Sequence, residues 1–367
     1  MLLAGGSVGH TQRWSNGIVR AGHEVVCVSQ HDFIDGGWDP RVELVRLPRS
    51  ERSGYLTQGA AVRRLFRAHG CTLLNAHYAT GYGVLATLSG VRPRLVSVWG
   101  SDVYDFPRQS WLHHMLVCRV LGSADAVAST SEAMATQLHR LLGSTGLRRP
   151  VEITPFGVDT RSFQPSGDAH AAGSTTVIGT VKTLDHKYGV DTLIDAFALL
   201  VQRPDGARLR LRLVGDGPQR AALERRVAEA GLSDAVDFVG AVPHACVPQE
   251  LQALDVYVAA SRLDSESFGV AVLEASACGL PVVVSDAGGL PEVVLAGETG
   301  LVVPRESPRA LADAIGALVD DAALRRRLGD AGRRHVQQRY EWSACVERMV
   351  TVYRSLAPPA ACPSRGA

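Results

Sequence analysis

Short apolar runs alternate with amphipathic segments along most of this chain. In its first part the runs are rich in Val, Leu and Ala and lie at residues 25–29, 73–76, 95–98 and 126–129. The segments between them have apolar residues at helical spacing, at residues 11–21, 57–69, 81–89 and 112–122. Strands that alternate with helices form parallel sheets covered by helices on both faces. The pattern therefore predicts an α/β fold.

The same pattern begins again after a segment of small residues that ends near residue 175. Further strands are predicted at 176–181, 209–214, 236–239, 255–259 and 281–285. The helices between them are predicted at 190–202, 218–230 and 269–278. Two arrays of similar size predict two Rossmann-like domains that face each other across a cleft. We expect domains at 1–165 and 166–340, and at 341–367 a C-terminal helix that packs back on the first domain, followed by a tail.

Composition and charge exclude some classes of protein but do not indicate a function. The 367 residues are 46% hydrophobic and 20% charged, which is typical of a globular protein and excludes a disordered or fibrous one. The net charge of +1 gives no drive toward nucleic acid. Residues 1–165 have a net charge of +5 and the remainder −4. This division is compatible with a basic face that meets an anionic partner or membrane, and equally with ordinary variation between domains.

Cysteine and metal-ligand patterns predict a cytoplasmic protein without a metal. The seven cysteines are scattered, with no C-x-x-C pair, as expected of free thiols in a reducing compartment. There is no D-x-D triplet and no histidine spacing typical of metal ligands. The N-terminal sequence does not resemble a signal peptide, and no run of 18 apolar residues suggests a membrane span. The localisation expected is cytoplasmic, with peripheral contact at the inner face of the membrane as a further possibility.

The segment from residue 261 to residue 304 contains the most informative chemistry. Its helix is predicted to begin near residues 267–269, where the first N–H groups have no partner within the helix. Such a helix end suits a phosphate or diphosphate. Glu266 precedes the helix, and Glu274 follows about two turns later on nearly the same face. Each glutamate alone is better explained by a helix-stabilising acid or a solvated helix face, whereas the combination with the flanking Gly and Pro residues is specific.

This segment resembles the E-x7-E signature of the retaining family 4 glycosyltransferases, which have the GT-B fold. The resemblance extends from Gly5 to about Tyr353. It implies that Glu266 contacts hydroxyls of the donor sugar and that Glu274 binds the nucleotide ribose. It also implies that the donor diphosphate meets the backbone around the helix start, formed by Ser267, Phe268, Gly269 and Val270.

Lysine is rare in this sequence, which contains 36 Arg but only Lys182 and Lys187. The resemblance implies that both lysines bind the donor diphosphate, as a Gly-Arg and Lys-Gly pair does in the family. The sequence departs from that pattern, because two residues separate Gly179 from Lys182 and Tyr188 follows Lys187. The alternative is a solvated loop.

Other site residues follow from the same resemblance. Further donor contacts are expected at Gly6, Gly179, Gly215 and Val242. On the acceptor side, His77 and Asp102 are candidates to orient the acceptor hydroxyl. The structural alternatives are a buried histidine for His77 and a loop or helix cap for Asp102. His10 is a weaker candidate on that side, and Trp99 stands where many relatives have a histidine.

The predicted function is a retaining, metal-independent glycosyltransferase that needs no cofactor beyond its donor, expected to be a UDP-hexose or UDP-N-acetylhexosamine. Basic residues 63–67 are compatible with contact to anionic lipid, which favours a lipid-linked glycan acceptor, and equally with a solvated helix face. First-domain acids instead favour a small cationic acceptor such as an aminocyclitol: Asp32, Asp35, Asp39, Asp102 and Asp105. The alternatives are a sugar-nucleotide epimerase or glycosyl phosphorylase of the same fold, and a non-catalytic sugar-nucleotide-binding subunit.

Overall fold

The computed structural model describes residues 1–48, 53–143, 146–166 and 175–357. The chain forms two compact units, unit 1 from Met1 to Pro155 together with the chain from Cys345 onward, and unit 2 from Phe156 to Ala344. Unit 2 therefore begins before the predicted boundary at residue 165. At the start of unit 2 the Phe156 ring packs against Phe268, with 6.1 Å between ring centroids.

Unit 1 is built on a seven-stranded parallel sheet with the strand order β3-β2-β1-β4-β5-β6-β7. Its strands are β1 (Leu2–Leu3), β2 (Val25–Ser29), β3 (Val42–Arg46), β4 (Leu74–His77), β5 (Arg94–Ser97), β6 (Ala126–Ser129) and β7 (Glu152–Ile153). Its helices are α1 (Gly9–Arg20), α2 (Gly54–Thr57), α3 (Gly59–Ala68), α4 (Gly81–Ser89), α5 (Ser101–Tyr104), α6 (Trp111–Ser123) and α7 (Glu132–Leu142).

Unit 2 is built on a six-stranded parallel sheet with the order β10-β9-β8-β11-β12-β13. Its strands are β8 (Thr176–Val181), β9 (Leu209–Val214), β10 (Val236–Gly240), β11 (Val256–Ala259), β12 (Val282–Ser285) and β13 (Gly300–Val303). Its helices are α8 (Val190–Val201), α9 (Arg220–Glu229), α10 (Val247–Gln252), α11 (Val270–Ala277), α12 (Leu290–Val293), α13 (Pro308–Asp320) and α14 (Ala322–Arg339).

The last helix, α15 (Trp342–Leu356), begins at the end of unit 2 and continues in unit 1. In unit 1 the Asn75 side chain donates a hydrogen bond to the Tyr353 hydroxyl, at 2.8 Å. This bond joins the helix to the second residue of β4.

Both sheets confirm the predicted α/β class with two Rossmann-like arrays. In each sheet the order of strands reverses beside the first strand of the array, β1 in unit 1 and β8 in unit 2. Ligands of such sheets bind at the carboxyl ends of the strands, at this switch point. In unit 2 the switch point lies between β8 and β11, so the loops that follow these two strands are the ones expected to carry the site.

Candidate functional site

The loop that follows β8 carries both lysines of the chain. Lys182 comes directly after the strand, and Lys187 lies on a single 3-10 turn, His186–Tyr188. Gly189 ends this turn with a φ of 60°, and a Cβ at that position would overlap the carbonyl oxygen of Ala260 at the end of β11. The Arg262 amide also donates to the Lys187 carbonyl at 2.8 Å. The loops after β8 and β11 therefore lie side by side.

Lys182 forms an ion pair with Glu266 across these two loops. The ammonium nitrogen lies 3.1 Å from each carboxylate oxygen, and the side chains are 20% and 8% exposed, respectively. Burial is the largest single effect on the pKa of Lys182 and acts to lower it. The charge and hydrogen bond of Glu266, together with the nearby Tyr257 and Tyr188, outweigh burial and hold the pKa above its usual range. Lys182 is therefore a protonated cation held in a largely buried position.

The Lys187 side chain also contacts the loop that contains Glu266. Its Nζ donates to the backbone carbonyl of Ser265 at 2.7 Å. Both ammonium groups lie near the Tyr188 ring, with Nζ 4.5 Å from the ring centroid for Lys182 and 5.4 Å for Lys187. The two lysines thus converge on the segment that ends in Glu266.

Two adjacent glycines fix the backbone of the Glu266 loop. The Gly289 amide donates to the Glu266 carbonyl at 2.9 Å, and the Gly288 amide donates to the Asp264 carboxylate at 3.2 Å. A Cβ at Gly288 would overlap the Glu266 carbonyl, and one at Gly289 would overlap the Ser267 carbonyl. The loop therefore fits only against a turn without side chains.

Gly288→Ala is expected to lower the free energy of unfolding by about 1–3 kcal/mol, because φ is 52° and the new methyl group meets backbone. The matched control is Gly297→Ala, where φ is 78° but no atom lies within 4 Å of the added Cβ. Urea unfolding of both variants measures the difference. Equal destabilisation by the two substitutions would contradict the proposed fit of the loop.

Helix α11 begins just beyond Glu266, at Val270 rather than at the predicted residues 267–269. Gly269 precedes it with a φ of 97°, and a Cβ there would lie 2.7 Å from the Leu290 side chain, so the turn itself requires glycine. Within the described part of the chain, the N–H groups of Phe268, Gly269 and Val270 have no hydrogen-bond acceptor. They form the positive end of the helix, beside the lysine-bearing loop.

Glu274 lies inside α11 and is buried. Its carboxylate is 3.0 Å from Nε2 of His244, a residue in the loop after β10 that the sequence analysis did not single out. The only available signal was the position of His244 two residues after Val242, which was predicted to meet the donor. Val242 itself is half-buried in that loop.

The predicted glycine contacts differ in their surroundings. Gly215 lies at the end of β9 with a φ of 138°, where a Cβ would overlap the Lys182 carbonyl, so it supports the lysine loop. Gly179 lies within β8, and a Cβ there would be 2.6 Å from the Leu254 side chain. This position makes Gly179 a packing residue inside the sheet, and the predicted donor contact there stays a prediction.

In unit 1, Gly6 follows the first strand at the switch point. Its amide donates to the Ser29 hydroxyl at 2.8 Å, and a Cβ there would lie 2.6 Å from the Phe33 ring. Glycine is thus required here because the Phe33 side chain lies against the backbone of Gly6. The predicted contact of Gly6 with the donor stays a prediction.

Asp102 forms hydrogen bonds with backbone amides of unit 1. Its carboxylate accepts hydrogen bonds from the amides of Ala79 at 2.8 Å, Trp99 at 3.1 Å and Gly100 at 2.9 Å. The side chain is fully buried, and burial raises its pKa against the opposing effect of these bonds. Both oxygens are engaged, which matches the structural alternative expected for Asp102, here a clamp between the loops after β4 and β5. The predicted contact of Asp102 with an acceptor stays a prediction.

Trp99 is the centre of an aromatic group at the same sheet edge. Its ring centroid is 4.5 Å from that of His77, 5.1 Å from that of Tyr78 and 5.9 Å from that of His10. Burial lowers the pKa of His77 to about 3, so its imidazole is neutral at pH 7. Its Nδ1 is buried without a hydrogen-bond partner among the described residues. The roles of His77 and His10 toward an acceptor remain predictions.

Comparison with known families assigns both halves of the chain. Residues 168–335 match the family described as glycosyl transferases group 1, and residues 1–131 match the one described as glycosyl transferase 4-like. A GDP-mannose-dependent alpha-(1-6)-phosphatidylinositol monomannoside mannosyltransferase of Mycolicibacterium smegmatis is 32% identical over 277 residues, covering 71% of this chain and 69% of that protein. The chain belongs to the family 4 glycosyltransferases.

Other relatives of this glycosyltransferase agree with that assignment. A D-inositol 3-phosphate glycosyltransferase of Corynebacterium urealyticum is 34% identical over 257 residues, covering 65% of this chain and 58% of that protein. The structure of a sucrose-phosphate synthase from Thermosynechococcus elongatus superimposes with a TM-score of 0.82 at 26% identity, covering 96% of this chain and 98% of that one. The predicted GT-B fold is confirmed by this similarity.

Two further observations concern the described residues of this glycosyltransferase. None of the helices in the described ranges is long and apolar enough to cross a membrane. The same ranges contain no group of three or more His, Cys, Asp or Glu side chains placed to hold a metal ion. Whether the reaction needs a metal remains a prediction from the sequence.

Proposed function

We propose that this glycosyltransferase moves a mannosyl residue from GDP-mannose to a hydroxyl group of an acceptor that carries a phosphorylated inositol. The donor and acceptor are those named for the relatives from M. smegmatis and C. urealyticum, respectively, and the M. smegmatis protein is also named for an inositol lipid acceptor. These names favour GDP-mannose over the UDP-sugar expected from the sequence.

The observation that carries the proposal is the convergence of Lys182, Lys187 and the start of α11 on the Glu266 loop. A donor diphosphate in this position would be neutralised by two ammonium groups and by the N–H groups of residues 268–270. This arrangement supplies positive charge to the leaving nucleotide diphosphate without a metal.

The proposed reaction retains the configuration of the sugar. The acceptor oxygen forms a bond to the anomeric carbon on the face from which the diphosphate departs. The bond between that carbon and the β-phosphate oxygen breaks, and its electron pair stays on the phosphate. The same phosphate oxygen takes the proton of the acceptor hydroxyl, so no protein base is required. Glu266 would hold the sugar hydroxyls, and its existing contact with Lys182 would align it with the diphosphate.

The second glutamate would bind the ribose of the donor. His244 contacts the Glu274 carboxylate at 3.0 Å and would fix its orientation. We expect His244→Ala to raise KM for the donor by about 3- to 10-fold with little change in kcat, since a mispositioned carboxylate weakens ground-state and transition-state binding equally. Initial-rate kinetics at saturating acceptor measure both constants. A fall in kcat without a change in KM would contradict this role.

Two of the five first-domain acids are already paired with arginine. Asp32 pairs with Arg46 at 2.5 Å. Asp39 pairs with Arg41 at 2.9 Å, and this guanidinium lowers the pKa of the carboxyl to about 2. Carboxylates already paired with arginine would have to give up that partner to bind an amine. The pairing favours a neutral or anionic acceptor over the aminocyclitol considered from the sequence.

A donor and acceptor screen tests the proposal. The purified protein would be incubated with GDP-mannose, GDP-glucose or UDP-glucose, each with inositol phosphate or dispersed phosphatidylinositol, and the products read by mass spectrometry. We expect a mannosylated acceptor and an equal amount of GDP. Phosphate-dependent release of a sugar phosphate would instead indicate a phosphorylase, a changed sugar within an intact nucleotide sugar an epimerase, and binding without turnover a non-catalytic subunit.

A further inference from the structure

Helix α6 exposes its large apolar side chains. Trp111 is 67% exposed, Leu112 61% and Met115 55%. Three large apolar side chains thus stand in solvent within five residues of one helix. Exposed apolar groups that cluster in this way mark an interaction surface, whereas single ones are ordinary.

The exposed side chains form one face of the helix. Trp111, Met115 and the exposed Arg119 follow one another at a spacing of four residues, and Leu112 lies beside them. The opposite face is occupied by the side chains that pack into the core of unit 1, namely Val117, Val120 and Leu121. Both faces of α6 are therefore apolar, although only one of them is covered.

The three helices that form this side of unit 1 carry charged side chains of one sign only. Helices α3 and α6 both contact α4, so the three helices form one layer on the sheet. Together they contain no acidic residue and four arginines, all exposed, at Arg63, Arg64, Arg67 and Arg119. An exposed leucine, Leu88, lies on α4, which is between the arginines of α3 and the apolar side chains of α6. The layer thus combines apolar side chains with positive charge.

A shallow depression next to α6 adds to the positive charge. Its volume is about 210 Å³, and Arg108, His114 and Arg140 are among the residues that line it. Arg108 precedes Trp111 by three residues in the sequence. Phosphate groups of lipid are the ligands that such arginines bind well.

We propose that the outer face of α3, α4 and α6 is a docking surface for a bilayer that contains anionic phospholipid. Tryptophan prefers the boundary between head groups and acyl chains, where Leu112 and Met115 would be buried with it. The arginines of α3 and α6 would contact lipid phosphates at the surface. The choice of a bilayer over another protein rests on this charge and on the inositol lipid of the proposed function.

Vesicle flotation tests the surface. The full chain is expected to float with vesicles of phosphatidylcholine and phosphatidylglycerol in equal amounts, and not with phosphatidylcholine alone. Trp111→Ser/Met115→Ser should weaken binding by about 10-fold or more, because two apolar side chains lose their insertion. Arg63→Gln/Arg64→Gln/Arg67→Gln should weaken it most at low salt. The matched control is Leu295→Ser, since Leu295 is 43% exposed in unit 2 and should leave binding unchanged.

Several results would overturn the docking surface. One is the absence of binding to the anionic vesicles, and another is binding equally weakened by Leu295→Ser. A third is that a second copy of the chain covers the outer face of α6. In that case sedimentation without lipid would show a dimer, and Trp111→Ser would abolish it. Titration with GDP-mannose keeps this test separate from the proposed function, because Trp111→Ser/Met115→Ser should not change donor affinity.

Discussion

Glu266→Gln is expected to reduce kcat by about 100- to 1000-fold, the usual effect of losing one charged or donor group that stabilises a transition state. The substitution keeps the shape of the side chain and removes its charge. The Lys182 ammonium, 3.1 Å from both oxygens, then loses the partner that aligns it. Stopped assays of GDP release and of acceptor mannosylation measure the loss.

The control for this variant is Glu298→Gln, which removes an exposed carboxylate from a loop of the same unit. It should leave kcat within about twofold, since surface substitutions far from a site are nearly neutral. The thermal midpoint of both variants shows whether the chain is folded. Undiminished turnover in a folded Glu266→Gln variant would remove Glu266 from the site.

Lys182→Met is expected to affect both stability and turnover. It leaves the Glu266 carboxylate, only 8% exposed, without its cation, and this should cost about 2–4 kcal/mol of the free energy of unfolding. Turnover should fall by about 100-fold or more, because the diphosphate loses one of its two ammonium groups.

The double variant Lys182→Met/Glu266→Gln separates the two effects. With both charges removed, most of the lost stability should return, while activity stays lost. Urea unfolding of the wild type, the two single variants and the double variant gives the coupling energy of the pair. A double variant that is destabilised by the sum of the single effects would show that the ion pair is not formed in solution.

Much of the fold could be predicted from the sequence because most of the central strands are formed mainly by apolar residues. The runs at 25–29 and 126–129 match β2 and β6 in full. Four strands were missed, namely β1, β3, β7 and β13. β3 is mostly exposed, with charged residues at Glu43 and Arg46, and β1 and β7 have two residues each. None of these three strands therefore has the apolar run that marks a buried strand.

The site could be predicted in part. The loops of Lys182 and Glu266 follow β8 and β11, which are neighbours in the sheet, and the rarity of lysine and the glutamate motif pointed to the same segment. The ion pair itself could not be predicted, because it joins residues 84 positions apart. The contact between His244 and Glu274 was missed for the same reason. The role of Asp102 was left open, since one aspartate in a loop can serve a ligand or the backbone.

The nucleotide base of the donor could not be predicted from the sequence. Lysines, glycines and a helix end recognise a diphosphate, which all nucleotide sugars share, and they do not distinguish guanine from uracil. The expectation of a UDP-sugar rested on the resemblance alone. The relatives from M. smegmatis and C. urealyticum are named for GDP-mannose and for inositol phosphate, which turned the proposal toward a different base and a phosphorylated acceptor.

Titration calorimetry with GDP-mannose tests the central claim most directly, since it measures whether the lysine and Glu266 loops of unit 2 hold the donor. Saturable binding is predicted for the wild-type chain, with the affinity reduced by about 100-fold or more in Lys182→Ala/Lys187→Ala. A folded double variant that binds GDP-mannose as tightly as the wild type would contradict the account.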